Sequence, residues 1–133
     1  MNAVSKAWAR PQSLIEVANA TESLADFHYH LSDFLHAFQA APAREKIAGE
    51  PALLRERFSG GELADAYLAA VAVELSFDLA QSRPEWVCKP ERSLLTPWFA
   101  AKSAKLRMCL LHESPAGFRE RNLFVSENAL SVA

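Results

Sequence analysis

Three histidines, His28, His30 and His36, crowd the stretch FHYHLSDFLHAF, and they raise the question of a metal site. A metal pair on a helix needs its ligands on one face, usually four residues apart, whereas these positions differ by 2, 6 and 8. Only His28 and His36 share a face, and two helical turns separate them by about 12 Å, too far to hold one ion. No metal or cofactor is therefore expected. His28, between Leu24 and Leu31, is expected to be a hydrogen-bonded core histidine, and His30 and His36 to lie at the surface. Cys88 and Cys109 could each be a nucleophile with a histidine base, but no catalytic signature surrounds either. Cys109 is expected on an apolar helix face and Cys88 follows Trp86-Val87, so both read as free thiols behaving as small hydrophobes. Ser59-Gly60-Gly61 opens a helix and could present amides to an anion. It lacks the lysine and serine or threonine of a phosphate loop, and no strand precedes it.

The most informative polar residues are Glu74 and Asp78. On a helical wheel at about 100° per residue they fall beside Tyr67, Ala70 and Val71, inside an apolar arc. Carboxylates there need a counter-charge or a proton. The closing stretch supplies Arg119, Arg121 and Asn122 between Phe118 and Leu123-Phe124-Val125, and Arg107 is a further candidate. Forked guanidinium groups suit bidentate contacts with carboxylates. The first expectation is that Arg119 or Arg121 meets Glu74 or Asp78 and locks the C-terminal stretch into the core. The second is that Glu74, Asp78, Arg119, Arg121 and Asn122 form a binding surface for a phosphate or for a partner's acids.

Positioning these residues requires helices. Pro11 suits the first turn of a short helix over QSLIEVANA, and Thr21 can cap a second. Leu24, Phe27, Leu31, Phe34, Leu35 and Phe38 recur at three- and four-residue steps as one wide apolar stripe. Pro42 ends that helix, PAREKIAG suggests a short third one, and EPALLRERF a further turn or two. From Gly61 to Ser82 an alanine-rich run should form the central helix. Pro84, Pro90 and Pro97 with Trp86 and Trp98 mark an irregular wrap whose tryptophans plug the core. KSAKLRMCLLHES resumes a helix with Leu106, Cys109 and Leu110 on one side, stopped by Ser114-Pro115, and a last helical turn could begin at Ser126 or Glu127. The expected fold is all-α: residues 1–133 as a single compact helical domain of five to seven helices, with residues 1–10 flexible, a Pro/Trp-rich wrap and a short C-terminal segment.

Composition narrows the function classes. The chain has 133 residues, half of them hydrophobic, and its 14 basic and 16 acidic side chains give a net charge of −2, which offers no general footprint for a phosphate backbone. Nucleic acid is not expected to bind through this chain alone. No apolar run approaches the roughly 18 residues of a membrane span, and the N-terminus lacks the apolar core of a signal peptide, so a cytoplasmic protein with no membrane association is expected.

The segments ESPAGFRERNLFVSENALSVA, PEWV and LTPWF resemble a family of uncharacterised small bacterial proteins whose closing segment carries a serine-proline step and a phenylalanine flanked by arginines. The likeness covers about the last 50 residues and loosely the alanine-rich helix. Members are sometimes preceded by a helix-turn-helix module, of which the N-terminal region here has no basic recognition helix. They are sometimes encoded beside a nucleotidyltransferase-like gene of the toxin-antitoxin type. The resemblance implies an antitoxin-like or regulatory protein whose partner is another protein or a second copy, and it supplies no catalytic residue. The expected function is therefore non-enzymatic. The alternative is a small enzyme or ligand-binding protein using Glu74, Asp78 and the C-terminal arginines in a helix-lined pocket.

Overall fold

A computed structural model describes residues 10–131 of the chain; the N-terminal residues expected to be flexible otherwise lie outside the described part. Six helices, two short 3-10 turns and one pair of two-residue strands make up its regular structure. At the centre is the alanine-rich helix, Gly61–Asp78, called α4 below once its predecessors are placed. From Leu63 to Val73 every residue of it is buried except Tyr67, which is half-buried. A helix that is apolar all round belongs inside a core. It therefore has no wet face over most of its length, and the wheel argument that singled out one arc does not apply. Its start is made by two glycines. Gly60 has φ +89, a left-handed conformation that glycine adopts without strain. At Gly61 a Cβ would sit 1.9 Å from the Leu54 carbonyl oxygen, so the preceding loop lies directly on the helix end.

Among the described residues three helices precede it. Helix α1 (Leu14–Ala20) starts at Ser13, whose hydroxyl accepts from the Glu16 amide at 3.2 Å, and buries Leu14, Val17 and Ala18. Thr21 closes α1, its hydroxyl donating to the Val17 carbonyl at 2.7 Å. Ser23, not Thr21, then caps α2 (Leu24–Ala40) by accepting from the Asp26 amide at 3.1 Å. The expected stripe is the buried face: Phe27, Leu31, Phe34, Leu35 and Phe38 are in the core and Leu24 packs against it. His28 is a correction, since it is exposed. It follows Phe27 by a single residue, about 100° round the helix, which carries it off the buried face. Helix α3 (Glu45–Ala48) buries only Ile47. No helix forms between Pro51 and Gly60; that segment is a run of turns held by side chains described below.

Beyond α4 the wrap comprises the 3-10 turns Glu85–Cys88 and Pro90–Arg92 and strand β1 (Trp98–Phe99). Trp86 is buried as expected, while Trp98 is half-buried. Helix α5 (Ala104–Glu113) ends at Ser114-Pro115, and α6 (Ala116–Arg119) leads into β2 (Leu123–Phe124), which pairs in parallel with β1, Trp98 opposite Leu123 and Phe99 opposite Phe124. The Phe99 and Phe124 rings stack at 4.8 Å. The buried Ser114 hydroxyl accepts from the Val125 amide at 2.8 Å, tying the end of α5 to the chain after β2. Residues 127–130 form turns rather than a last helix. Among the described residues no helix is long and apolar enough to cross a membrane.

Candidate functional site

The closing stretch is locked into the core, but not by the expected ion pairs. Arg121 is 4% exposed and points its guanidinium at backbone: Nη1 donates to the Gly117 carbonyl at 2.9 Å and Nη2 to the Val87 carbonyl at 2.8 Å. Its one acidic partner is the neighbouring Glu120, at 2.9 Å. Neither Glu74 nor Asp78 is within reach of Arg119 or Arg121, since no such ion pair occurs among the described residues. Glu74 is half-buried and its Oε2 accepts the Gly117 amide at 2.9 Å, at the start of α6. An amide takes the place of the guanidinium because Gly117 has no side chain. A Cβ there would lie 2.7 Å from Glu74 Oε2 and 2.9 Å from Val73 Cγ1. Asp78, the last residue of α4, is exposed, as is Arg119. Asn122 is structural: at φ 63 its Nδ2 donates to the Leu94 carbonyl at 2.8 Å, and its own carbonyl accepts from the Trp98 amide at 2.8 Å. Phe118 completes the lock, its ring edge-on to Tyr67 at 5.0 Å. Burial of Tyr67 pushes its hydroxyl up to about 12.

The buried ion pair of this protein lies elsewhere. Asp65, in α4, and Arg92, in the second 3-10 turn, are both fully buried, with Asp65 Oδ1 3.8 Å from Arg92 Nη1. Asp65 Oδ1 also accepts the Leu54 amide at 2.6 Å, and Oδ2 accepts the amide and the Nε of Arg55, each at 3.2 Å. Arg92 in turn donates to the Pro51 carbonyl and to Glu50 Oε2, the latter at 3.2 Å, and its guanidinium lies 4.9 Å from the Trp86 ring centroid. Arg55 reaches the Glu91 carbonyl. The network joins the loop before α4 to the wrap after it, across the helix. Lys89 closes its outer edge on Glu50 at 2.7 Å. The hydrogen bond from Lys89, with a second from Arg92, holds the Glu50 carboxyl below its usual range against the opposing effect of desolvation. Among the described residues, the buried Arg92 Nε and Trp86 Nε1 find no hydrogen-bond partner. Sequence reasoning passed over this pair, although Asp65 stands in the most apolar run of the chain. That was the available signal; Arg92, in a proline-rich turn, offered none.

Two shallow grooves flank the end of α4. One, of about 240 Å³, is walled by Leu35, Phe38, Pro42, Leu75 and Leu79, with Asp78 beside them. The other, of about 270 Å³, lies against Glu74, Phe77, Gln81, Arg83 and Gly117. Glu74 and Asp78 therefore belong to different grooves, and neither groove is lined by Arg119 or Arg121. Arg83 is paired with Glu120 at 2.8 Å.

Large apolar side chains are also exposed. Phe77 and Leu95 stand out singly, but α5 has Leu106, Met108 and Leu111 exposed and only Leu110 buried. The expected inward face of α5 is thereby corrected: Leu106 and Cys109 are exposed, and Leu110 is the one fully buried residue of the helix. Cys88 and Cys109 are unpaired and both exposed, so neither behaves as a core hydrophobe. Compared with known proteins, the chain matches no family model, no curated protein and no solved structure.

Proposed function

We propose that the chain is a non-enzymatic interaction protein of the cytoplasm, the regulatory, antitoxin-like half of a two-gene module, which associates through α5. The observation that carries this reading is α5 itself, a ten-residue helix with one buried residue, Leu110, and with Met108 and Leu111 exposed side by side on another of its faces. Exposed apolar surface gathered on one element is the usual mark of a protein contact, whereas isolated exposed hydrophobes carry no such meaning. The helix stands on a rigid mount: β2 is paired with β1, and Arg121, Asn122 and Ser114 tie the surrounding backbone. The resemblance of the closing segment to small bacterial proteins encoded beside nucleotidyltransferase-like genes supports the two-gene arrangement. The small-molecule alternative is weaker, because the acids and arginines it requires do not converge on one groove.

Co-expression with the product of the neighbouring gene tests the proposal. The two proteins should elute together, and the combined substitution Met108→Asp/Leu111→Asp should separate them without changing the circular dichroism of this chain. Separate elution of the parent proteins would overturn it.

A further inference from the structure

We infer that, when no other protein covers it, α5 seats in the apolar groove between α2 and α4 of a second copy of this chain; the inference rests on the interaction reading, and self-association and partner binding compete for the same face. At about 100° per residue, Ala104, Met108 and Leu111 fall within about 60° of arc, on the side of α5 away from its one buried residue, Leu110. All three are exposed. Lys105 and His112, also exposed, flank the stripe. Between Lys102 and His112 the chain has three lysine or arginine residues and no carboxylate, although acids outnumber bases in the chain as a whole. The stripe is thus apolar with a basic edge.

The groove has the opposite edge. Leu35, Phe38, Pro42, Leu75 and Leu79 wall it, and the carboxylate of Asp78, exposed and unpaired among the described residues, stands beside them. Its volume of about 240 Å³ lies just under the roughly 300 to 1,000 Å³ of pockets that enclose a drug-sized ligand. Methionine, unbranched and polarisable, is adaptable enough to fill such a space. Within one chain α5 packs on β2, so the groove of the same molecule is not its seat. Pairing of two α5 stripes would bring the lysine edges toward like charge, which is unfavourable. A groove edged by Asp78 gives Lys105 a carboxylate. Helix and groove are different patches, so the contact is isologous and closes as a dimer if each copy's α5 fills the other's groove, and is heterologous, giving a ring or longer assembly, if not.

The experiment is light scattering on the purified chain alone over a range of concentrations. The parent should exceed the 14.7 kDa of a monomer as concentration rises toward about 100 µM. Met108→Asp/Leu111→Asp, which spoils the helix, and Gln39→Trp, which plugs the groove from its exposed rim, should each weaken association about tenfold or more. Mixing those two variants should restore a complex, since one keeps an intact helix and the other an intact groove. Lys105→Asp and Asp78→Lys should each weaken association about threefold, and combining them should recover it. A parent that stays monomeric overturns the inference but not the interaction reading, which the co-expression experiment judges separately. Association lost in the helix variant yet unaffected by Gln39→Trp and Asp78→Lys would also overturn it, by showing that α5 meets something other than the groove.

Discussion

Removing Asp65 should be among the most damaging single substitutions in this protein. Asp65→Ala leaves Arg92 fully buried, with Glu50 at its edge as the sole remaining acidic partner, and frees the buried Leu54 amide whose bond to Asp65 is 2.6 Å long. Breaking one side of a buried pair costs about 3 to 5 kcal/mol, mainly through the uncompensated charge left behind. An orphaned amide adds about 1 to 3 kcal/mol. Relaxation of the Pro51–Gly60 loop toward water should absorb part of that, so the net loss is placed at about 3 to 5 kcal/mol. For a domain of this size, with a urea slope of about 1.5 kcal/mol/M, the midpoint should fall by about 2 to 3 M. Arg92→Met should lose less, because Asp65 keeps the Arg55 guanidinium at 3.2 Å and the Leu54 and Arg55 amides. The double variant should lose clearly less than the sum, with a coupling of about 1 to 3 kcal/mol, because neither charge is then left alone. The assay is equilibrium urea unfolding followed by circular dichroism, with tryptophan fluorescence as a second probe of the wrap through Trp86. A midpoint for Asp65→Ala within about 0.5 M of the parent, or strictly additive losses, would refute the claim that this pair fastens the wrap to α4.

Three further outcomes are expected. Arg121→Ala should cost about 2 to 4 kcal/mol, since it orphans the Gly117 and Val87 carbonyls, while exposed Arg119→Ala should stay within about 0.5 kcal/mol; equal urea midpoints for the two would contradict the assignment of the lock to Arg121. Glu50 has its carboxyl held below the usual range, and in Glu120 burial acts upward but is outweighed by hydrogen bonds from Arg121 and Arg83. Because the unfolded chain binds those protons first, their contribution is present above the ordinary carboxylate value of 4.5 and is lost as pH falls through the lowered folded values; a combined Glu50→Gln/Glu120→Gln variant should show a shallower fall in melting temperature below that pH, and an unchanged slope would count against it. Both Cys88 and Cys109, being exposed and unpaired, should react with a thiol reagent in the native state, and titration of fewer than two groups before denaturant is added would show the placement to be wrong.

Much of the helical framework was legible because local chemistry decides it. The stripe of α2, the alanine-rich run of α4 and the stop at Ser114-Pro115 are set by residues within a few positions of one another, although the cap of α2 was placed at Thr21 and is Ser23. The same holds for the wrap, where three prolines exclude long regular elements whatever surrounds them. Even the burial of the closing stretch followed from its apolar residues on either side of FRERN.

The tertiary structure decided which polar group meets which. A helical wheel gives direction round an axis but not depth, so it could not distinguish Asp65, sealed beneath both the loop before α4 and the wrap after it, from Asp78, at the exposed end of the same helix. Nor could it anticipate that Gly117 would bring a backbone amide to Glu74 in place of a side chain, or that Arg121 would turn to carbonyls. Apart from Arg121 and Gly117, four positions apart, those partners are 11 to 43 positions apart in the chain, as in Leu54 to Asp65 and Glu74 to Gly117. The exposure of α5 belongs to the same class: its residues are good enough helix formers to specify a helix, but whether its flanks are covered depends on what the rest of the fold places beside it. Sequence alone therefore determined the longer helices and the breaks between them, through interactions of short range, but not the short elements: the turns at 51–60 and 127–130 and the helix Ala116–Arg119. Packing determined the buried Asp65–Arg92 pair and the uncovered stripe of α5, because both depend on contacts between segments that only folding brings together.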